Sequence, residues 1–254
     1  MSEAAQDIRI VAPKSLPEIS AGDDLAHLIA EAAEREGHSV VSGCTVVVAQ
    51  KVVSKAEGRV VDLRQIRPSP LAESFAQAHG KDARLVEVIL QQARRVVKME
   101  RGVLIVETHQ GLVCANAGVD LSNVAGDECV TLLPRDPDAS AEALRQGLRR
   151  LTGCDCAVVI SDTFGRPWRE GLTNVAIGAA GFRPLADYRG RRDRHGRLLR
   201  STVIAVADEL AAAAGLVMGK ATGVPAVLVF GLTLESGRGS ARELIRPPER
   251  DLFR

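Results

Sequence analysis

The run Cys156-Ala157-Val158-Val159-Ile160 ends abruptly in Ser161-Asp162-Thr163. Its length and β-branched content are those of a buried strand, and polar groups at the end of such a strand face a site. Next comes Gly165-Arg166-Pro167-Trp168-Arg169-Glu170-Gly171, which reads as a loop too rich in fixed backbone geometry and cation for a plain connector. A buried strand cannot stand alone, so the other segments are read as its support.

Further apolar runs predict strands at Ile8 to Val11, Thr45 to Ala49, Val60 to Leu63, Val103 to Thr108, Leu112 to Ala115, Val130 to Leu133, Ser201 to Ala207 and Val224 to Phe230. Helical spacing predicts a helix from Asp23, its N-cap, to before Gly37. Others are predicted from Pro70, from Asp82 to Val97, from Pro137 to Leu151 and from Asp208 to Met218. Gly219-Lys220-Ala221-Thr222-Gly223 is not a phosphate-binding P-loop: three residues separate Gly215 from Gly219 where that motif needs four, and Ala221 replaces its Ser or Thr.

The balance of 33 Lys plus Arg against 32 Asp plus Glu gives no global field to attract nucleic acid or an anionic membrane surface. No apolar run approaches the ~20 residues that span a bilayer and no leader pattern opens the chain, so a cytoplasmic protein is expected. The five cysteines form no CxxC pair and are read as small buried residues. His109 reads as structural or solvated.

Candidate chemistry falls elsewhere. Asp162 and Thr163 offer a carboxylate and a hydroxyl, and Asp120 is either a second carboxylate for the same ion or a turn former. Such hard oxygen donors suit magnesium or manganese, which arrive with substrate phosphates. Lys51 and Lys55 lie either on a solvated face or against phosphate oxygens. With Arg166 and Arg169 they could neutralise charge on a transferring phosphoryl group, which suggests nucleotide-dependent phosphoryl transfer. The arginines between Arg183 and Arg200 form either a solvated loop or an anionic-substrate surface.

Five segments, LPEISAGDDLAHLI at 16–29, AQKVVSKAEGRVV at 49–61, CANAGVDLSNV at 114–124, ISDTFGRPWREG at 160–171 and IAVADELAAAAGLVMGKATGVPAVLV at 204–229, together resemble the coenzyme F420-0:L-glutamate ligase family. The resemblance runs in order over nearly the whole chain. It implies an α+β fold with mixed sheets, packed helices and two subdomains, forming an intertwined homodimer. It implies GTP-dependent addition of L-glutamate to coenzyme F420-0 through an acyl phosphate, then further γ-linked glutamates. Alternatives are a related ligase acting on another carboxylate and a non-catalytic nucleotide- or coenzyme-binding protein.

Carried over by motif, Leu16, Pro17, Glu18 and Ile19 would line the GTP site, with Gln50, Lys55, Asn123, Gly219 and Lys220. Asp120 and Asp162 would hold one divalent metal, Mg2+ or Mn2+, and Thr163 a second, with K+ as a further ion. Beside Asp162, Arg166 and Arg169 complete the expected catalytic set on their charge and position alone, not by motif. Lys220 stands where some members carry a metal-ligating glutamine, and an ammonium cannot ligate a cation. Some relatives carry a further nitroreductase-like domain, which is not expected here because the chain ends at Asp251-Leu252-Phe253-Arg254.

Overall fold

The computed structural model describes residues 7–121, 128–220 and 222–251. Its main sheet has five strands, in the order β1 (Arg9–Val11), β12 (Ala226–Phe230), β2 (Thr45–Ala49), β8 (Ala157–Arg166) and β9 (Arg169–Ala180). β2 and β8 run parallel and the other neighbours antiparallel.

The strand sequences explain why both faces are covered. Val46 and Val48 of β2 and Val158 and Ile160 of β8 face one side, where α1 (Leu25–Arg35) and α5 (Pro137–Thr152) bring Ile29, Ala33, Leu144 and Leu148. Val47 and Val159 face the other, where α6 (Val206–Met218) brings Ala207, Leu210, Ala211 and Ala214. The two-residue side-chain period thus feeds two apolar layers from one run of valines. Small residues let α5 approach: a Cβ on Gly178 of β9 would fall 2.3 Å from the Pro137 carbonyl oxygen at the start of α5.

A short helix, α2 (Gln50–Ala56), leaves β2 directly. Beyond it β3 (Val60–Asp62) pairs with β7 (Cys129–Thr131). Helices α3 (Pro70–His79) and α4 (Ala83–Gln92) lead to the sheet β4 (Ala93–Glu100), β5 (Val103–Thr108) and β6 (Val113–Ala115), with Phe75, Val86, Ile89, Leu104 and Val106 in its core. The Arg-rich segment carries the two-residue pair β10 (Ala186–Asp187) and β11 (Val203–Ile204). The arrangement is α+β with mixed sheets. No helix among the described residues is long and apolar enough to cross a membrane.

Several boundaries differ from the sequence reading, each for a local reason. The α1 cap is Asp24, whose carboxylate accepts from the Ala26 and His27 N–H groups, while Asp23 accepts from Ser20. The helix begun at Asp82 stops at Gln92, because β-branched Val96 and its neighbours pair along β5. The strand expected over Ser201 to Ala207 shrinks to Val203–Ile204, and α6 begins already at Val206.

The largest difference is in β8, which does not end at Ile160 but continues to Arg166 and forms a hairpin with β9. β2 stops at Ala49, opposite Ser161, so from Asp162 onward β8 has β9 on one edge and α2 beyond the other. Polar residues therefore mark a strand leaving the layered core. Ile160 pairs with Gly178 but Ser161 with Ala176, which leaves Ile177 as an extra residue in β9. This bulge re-aims the outer half of the hairpin, and its Ala176 N–H donates to Asp208 Oδ1 of α6 at 2.8 Å.

Candidate functional site

A cavity of about 360 Å3 opens where β2 ends and its parallel pairing with β8 stops. Carboxyl ends of parallel strands are where such sheets place ligands, because the chain must depart there and leaves a crevice. Residues from four stretches wall it: Leu16–Ile19, Ala49–Val52 with Lys55, Ser161–Thr163 with Asn174, and Met218–Lys220 with Gly223–Pro225.

On the β8 wall, the Thr163 N–H donates to Asp162 Oδ1 at 2.8 Å, and the Thr163 hydroxyl donates to Asn174 Oδ1 at 2.8 Å across the hairpin. The same hydroxyl accepts from the Lys220 ammonium. Lys220 reaches it because α6 is capped by Gly219, whose φ of 58° turns the chain back toward the strand. Lys51, also in the lining, has its Nζ 2.8 Å from Asp120 Oδ2.

The α2 wall is built on i, i+4 spacing. Ser54 donates to Gln50 Oε1 at 2.9 Å, and both side chains are buried. Among the described residues, Gln50 Nε2 has no acceptor. A buried donor left unpaired costs about 1–3 kcal/mol, so this amide is poised for an acceptor supplied from the cavity. Lys55, only 8% exposed, is ion-paired with Glu18. The reading that puts Lys55 on a solvated face is therefore overturned: α2 turns it inward against the Leu16–Ile19 segment.

Burial pushes the Asp162 carboxyl up to about 6; the Thr163 N–H opposes this, the Asp120 charge adds to it, and the Lys220 and Lys51 ammoniums oppose it. Cys114 is pushed up to about 12 by its own burial and then by the Asp162 charge, against the Gly118 N–H, so it stays a neutral thiol. Two carboxylates that repel at close range, with hydroxyl and amide oxygens nearby, are a hard-donor set that a divalent cation relieves. Among the described residues no group of three or more His, Cys, Asp or Glu side chains could hold a metal, so these residues offer an ion at most two charged ligands.

The structure brings together Leu16, Pro17, Glu18, Ile19, Gln50, Lys55, Asp162, Thr163, Gly219 and Lys220 as cavity lining. Asp120 joins them through Lys51 and through its effect on Asp162. Asn123 lies outside the described residues. Arg166 and Arg169 sit at the β8–β9 tip, apart from the lining; Arg166 donates to the Glu170 carbonyl at 2.6 Å. Pro167 and Trp168, the latter with φ 58°, form the two-residue turn where a loop was expected. The Arg-rich segment also lies off the cavity and closes on itself, Arg189 on Asp187 and Arg191 over the Tyr188 ring. Sequence reasoning missed Asn174, whose only signal is its place opposite Thr163 in a hairpin.

A family model described as F420-0:Gamma-glutamyl ligase matches residues 14–231. The chain belongs to this family. The match takes in every described segment of the cavity wall, from Leu16 to Pro225. Among curated relatives, the "Coenzyme F420:L-glutamate ligase" of Methanothermobacter thermautotrophicus is 47% identical over 250 residues, 97% of this chain and 99% of the relative. The protein of the same name from Methanopyrus kandleri is 52% identical over 238 residues, 92% of each chain. That from Methanocaldococcus jannaschii is 42% identical over 242 residues, 94% of each. As an F420-0:gamma-glutamyl ligase family member, the chain carries its β2–β8 cavity inside the region its relatives share.

Proposed function

We propose that this protein is a GTP-dependent ligase that adds L-glutamate to coenzyme F420-0 and extends the γ-linked tail, releasing GDP and phosphate. The observation that carries the reading is the cavity where β2 ends beside β8. It joins a buried, unpaired Gln50 amide and the Lys55 ammonium to a two-carboxylate centre at Asp162. Relatives across nearly the whole chain bear the ligase name.

The chemistry required is activation of a carboxylate, a poor electrophile at neutral pH. A carboxylate oxygen of the acceptor attacks the γ-phosphorus, the bond to the GDP oxygen breaks, and an acyl phosphate forms. The glutamate amine then attacks the acyl carbon, loses a proton, and inorganic phosphate leaves with the carboxylate oxygen. A divalent cation on Asp120 and Asp162 would neutralise charge on the phosphates.

This chain's residues supply the rest. Gln50 and Lys55 bind and orient the nucleotide from α2. Lys220 and Lys51 keep positive charge beside Asp162. Arg166 and Arg169 could meet anionic substrate from the hairpin tip. A homodimer is consistent with Leu172 and Leu216, exposed apolar side chains on the packed elements β9 and α6.

The test is to incubate purified protein with GTP, Mg2+ or Mn2+, L-glutamate and F420-0 and to follow the coenzyme by mass spectrometry. Successive glutamate additions with matching GDP release are expected. GDP release with another acceptor but no change in F420-0 would favour a related ligase, and nucleotide binding without GDP release a non-catalytic role.

A further inference from the structure

We infer that Lys220 is the second cation of this site: its ammonium, held on the Thr163 hydroxyl, takes the place a second divalent ion would need. The chain then binds one divalent ion, on Asp120 and Asp162. The inference rests on the phosphoryl-transfer reading above and specifies how that centre is charged in this protein.

The hydroxyl of Thr163 has one proton and two lone pairs. The proton is committed to Asn174 Oδ1 at 2.8 Å, and one lone pair accepts from Lys220 Nζ. A divalent ion on the remaining lone pair would have to sit about 2.0–2.6 Å from the oxygen, directly beside the ammonium. Two positive charges at that separation repel even where the ammonium is exposed to water.

Ligand count points the same way. Among the described residues no cluster of three or more His, Cys, Asp or Glu exists, so once Asp120 and Asp162 share an ion no further carboxylate is at hand for another. Glu18, the other acidic residue lining the cavity, is paired with Lys55. A second ion would be left with a hydroxyl and an amide oxygen, whereas magnesium-class ions at phosphates usually keep one or two carboxylates. Asn174 holds the hydroxyl in place, and a Cβ on Gly215 of α6 would fall 2.9 Å from its Nδ2, so helix packing fixes the acceptor for Lys220.

The experiment counts metal. Equilibrium dialysis of Mn2+ with a non-hydrolysable GTP analogue in excess gives the manganese retained per chain, free nucleotide being equal on both sides of the membrane. One ion per chain is expected for the wild type and two for Lys220→Gln, which removes the charge and offers an amide oxygen. Asp162→Asn is expected to retain none. Circular dichroism establishes that each variant is folded, and the wild-type count is decisive by itself. Two ions on the wild type, or one on Lys220→Gln, would overturn the inference while leaving the metal-assisted reading intact. No ion on the wild type would overturn both.

Discussion

Thr163 and Asn174 face each other across the β8–β9 pair, the hydroxyl donating to the amide oxygen at 2.8 Å. Behind Asn174 stands Gly215, with room for no side chain. Gly215→Ala is therefore expected to push Asn174 and Thr163 off their places while keeping the fold, since alanine favours the helix by about 1 kcal/mol and offsets part of the clash. Displacements near 1 Å cost on the order of a hundredfold in rate, so kcat is expected to fall at least about tenfold. Steady-state kinetics with a melting curve checks this. Unchanged kcat in the folded variant would contradict the positioning role.

The Asp162 carboxyl, raised from 3.8 to about 6 chiefly by burial, makes the protein without metal or nucleotide pH-sensitive. The folded state holds this proton more tightly than the unfolded chain. Its contribution to stability is therefore fully present below the unfolded value and lost as pH rises through about 6. Asp162→Asn mimics the protonated form and escapes the loss. Its melting temperature is expected to match the wild type near pH 4 and to exceed it by several degrees at pH 8, even as turnover disappears. Equal melting temperatures at both pH values would show that the ionised carboxylate is not strained.

Lys55 is buried, but its partner Glu18 is 82% exposed at the side chain, so their pairing stabilises the fold little. Lys55→Met keeps the stem and removes the charge. The melting temperature is expected to stay within a few degrees while KM for GTP rises about tenfold or more, the usual worth of a charged hydrogen bond to phosphate. A KM change for glutamate instead of GTP would move Lys55 to another part of the reaction.

Much of this site was legible because its residues carry local signals. Asp162 and Thr163 follow an apolar run, and Gln50 to Lys55 follow another; both runs lie in central strands, and the cavity opens where their pairing stops. What stayed hidden depends on contacts distant in sequence. Asn174 is recognisable only once Ser161–Arg166 is seen as strand rather than loop, and that depends on β2 ending at Ala49 and on the extra residue Ile177. Likewise, whether Lys55 meets water or the cavity was ambiguous in the sequence, because neither the short helix Gln50–Ala56 nor the position of Leu16–Ile19 against it was read from the local pattern. The switch from α4 to β4 at Ala93 was missed for a similar reason: helical spacing runs on to Val97, while pairing with β5 decides the strand.

The most direct measurement follows oxygen. With F420-0 labelled with oxygen-18 in its acceptor carboxylate, incubated with GTP, divalent metal and L-glutamate, activation by phosphoryl transfer is expected to deliver one labelled oxygen into each phosphate released, read by mass spectrometry. Glutamate addition with unlabelled phosphate would contradict the account, since the carboxylate would then have been activated without passing through an acyl phosphate.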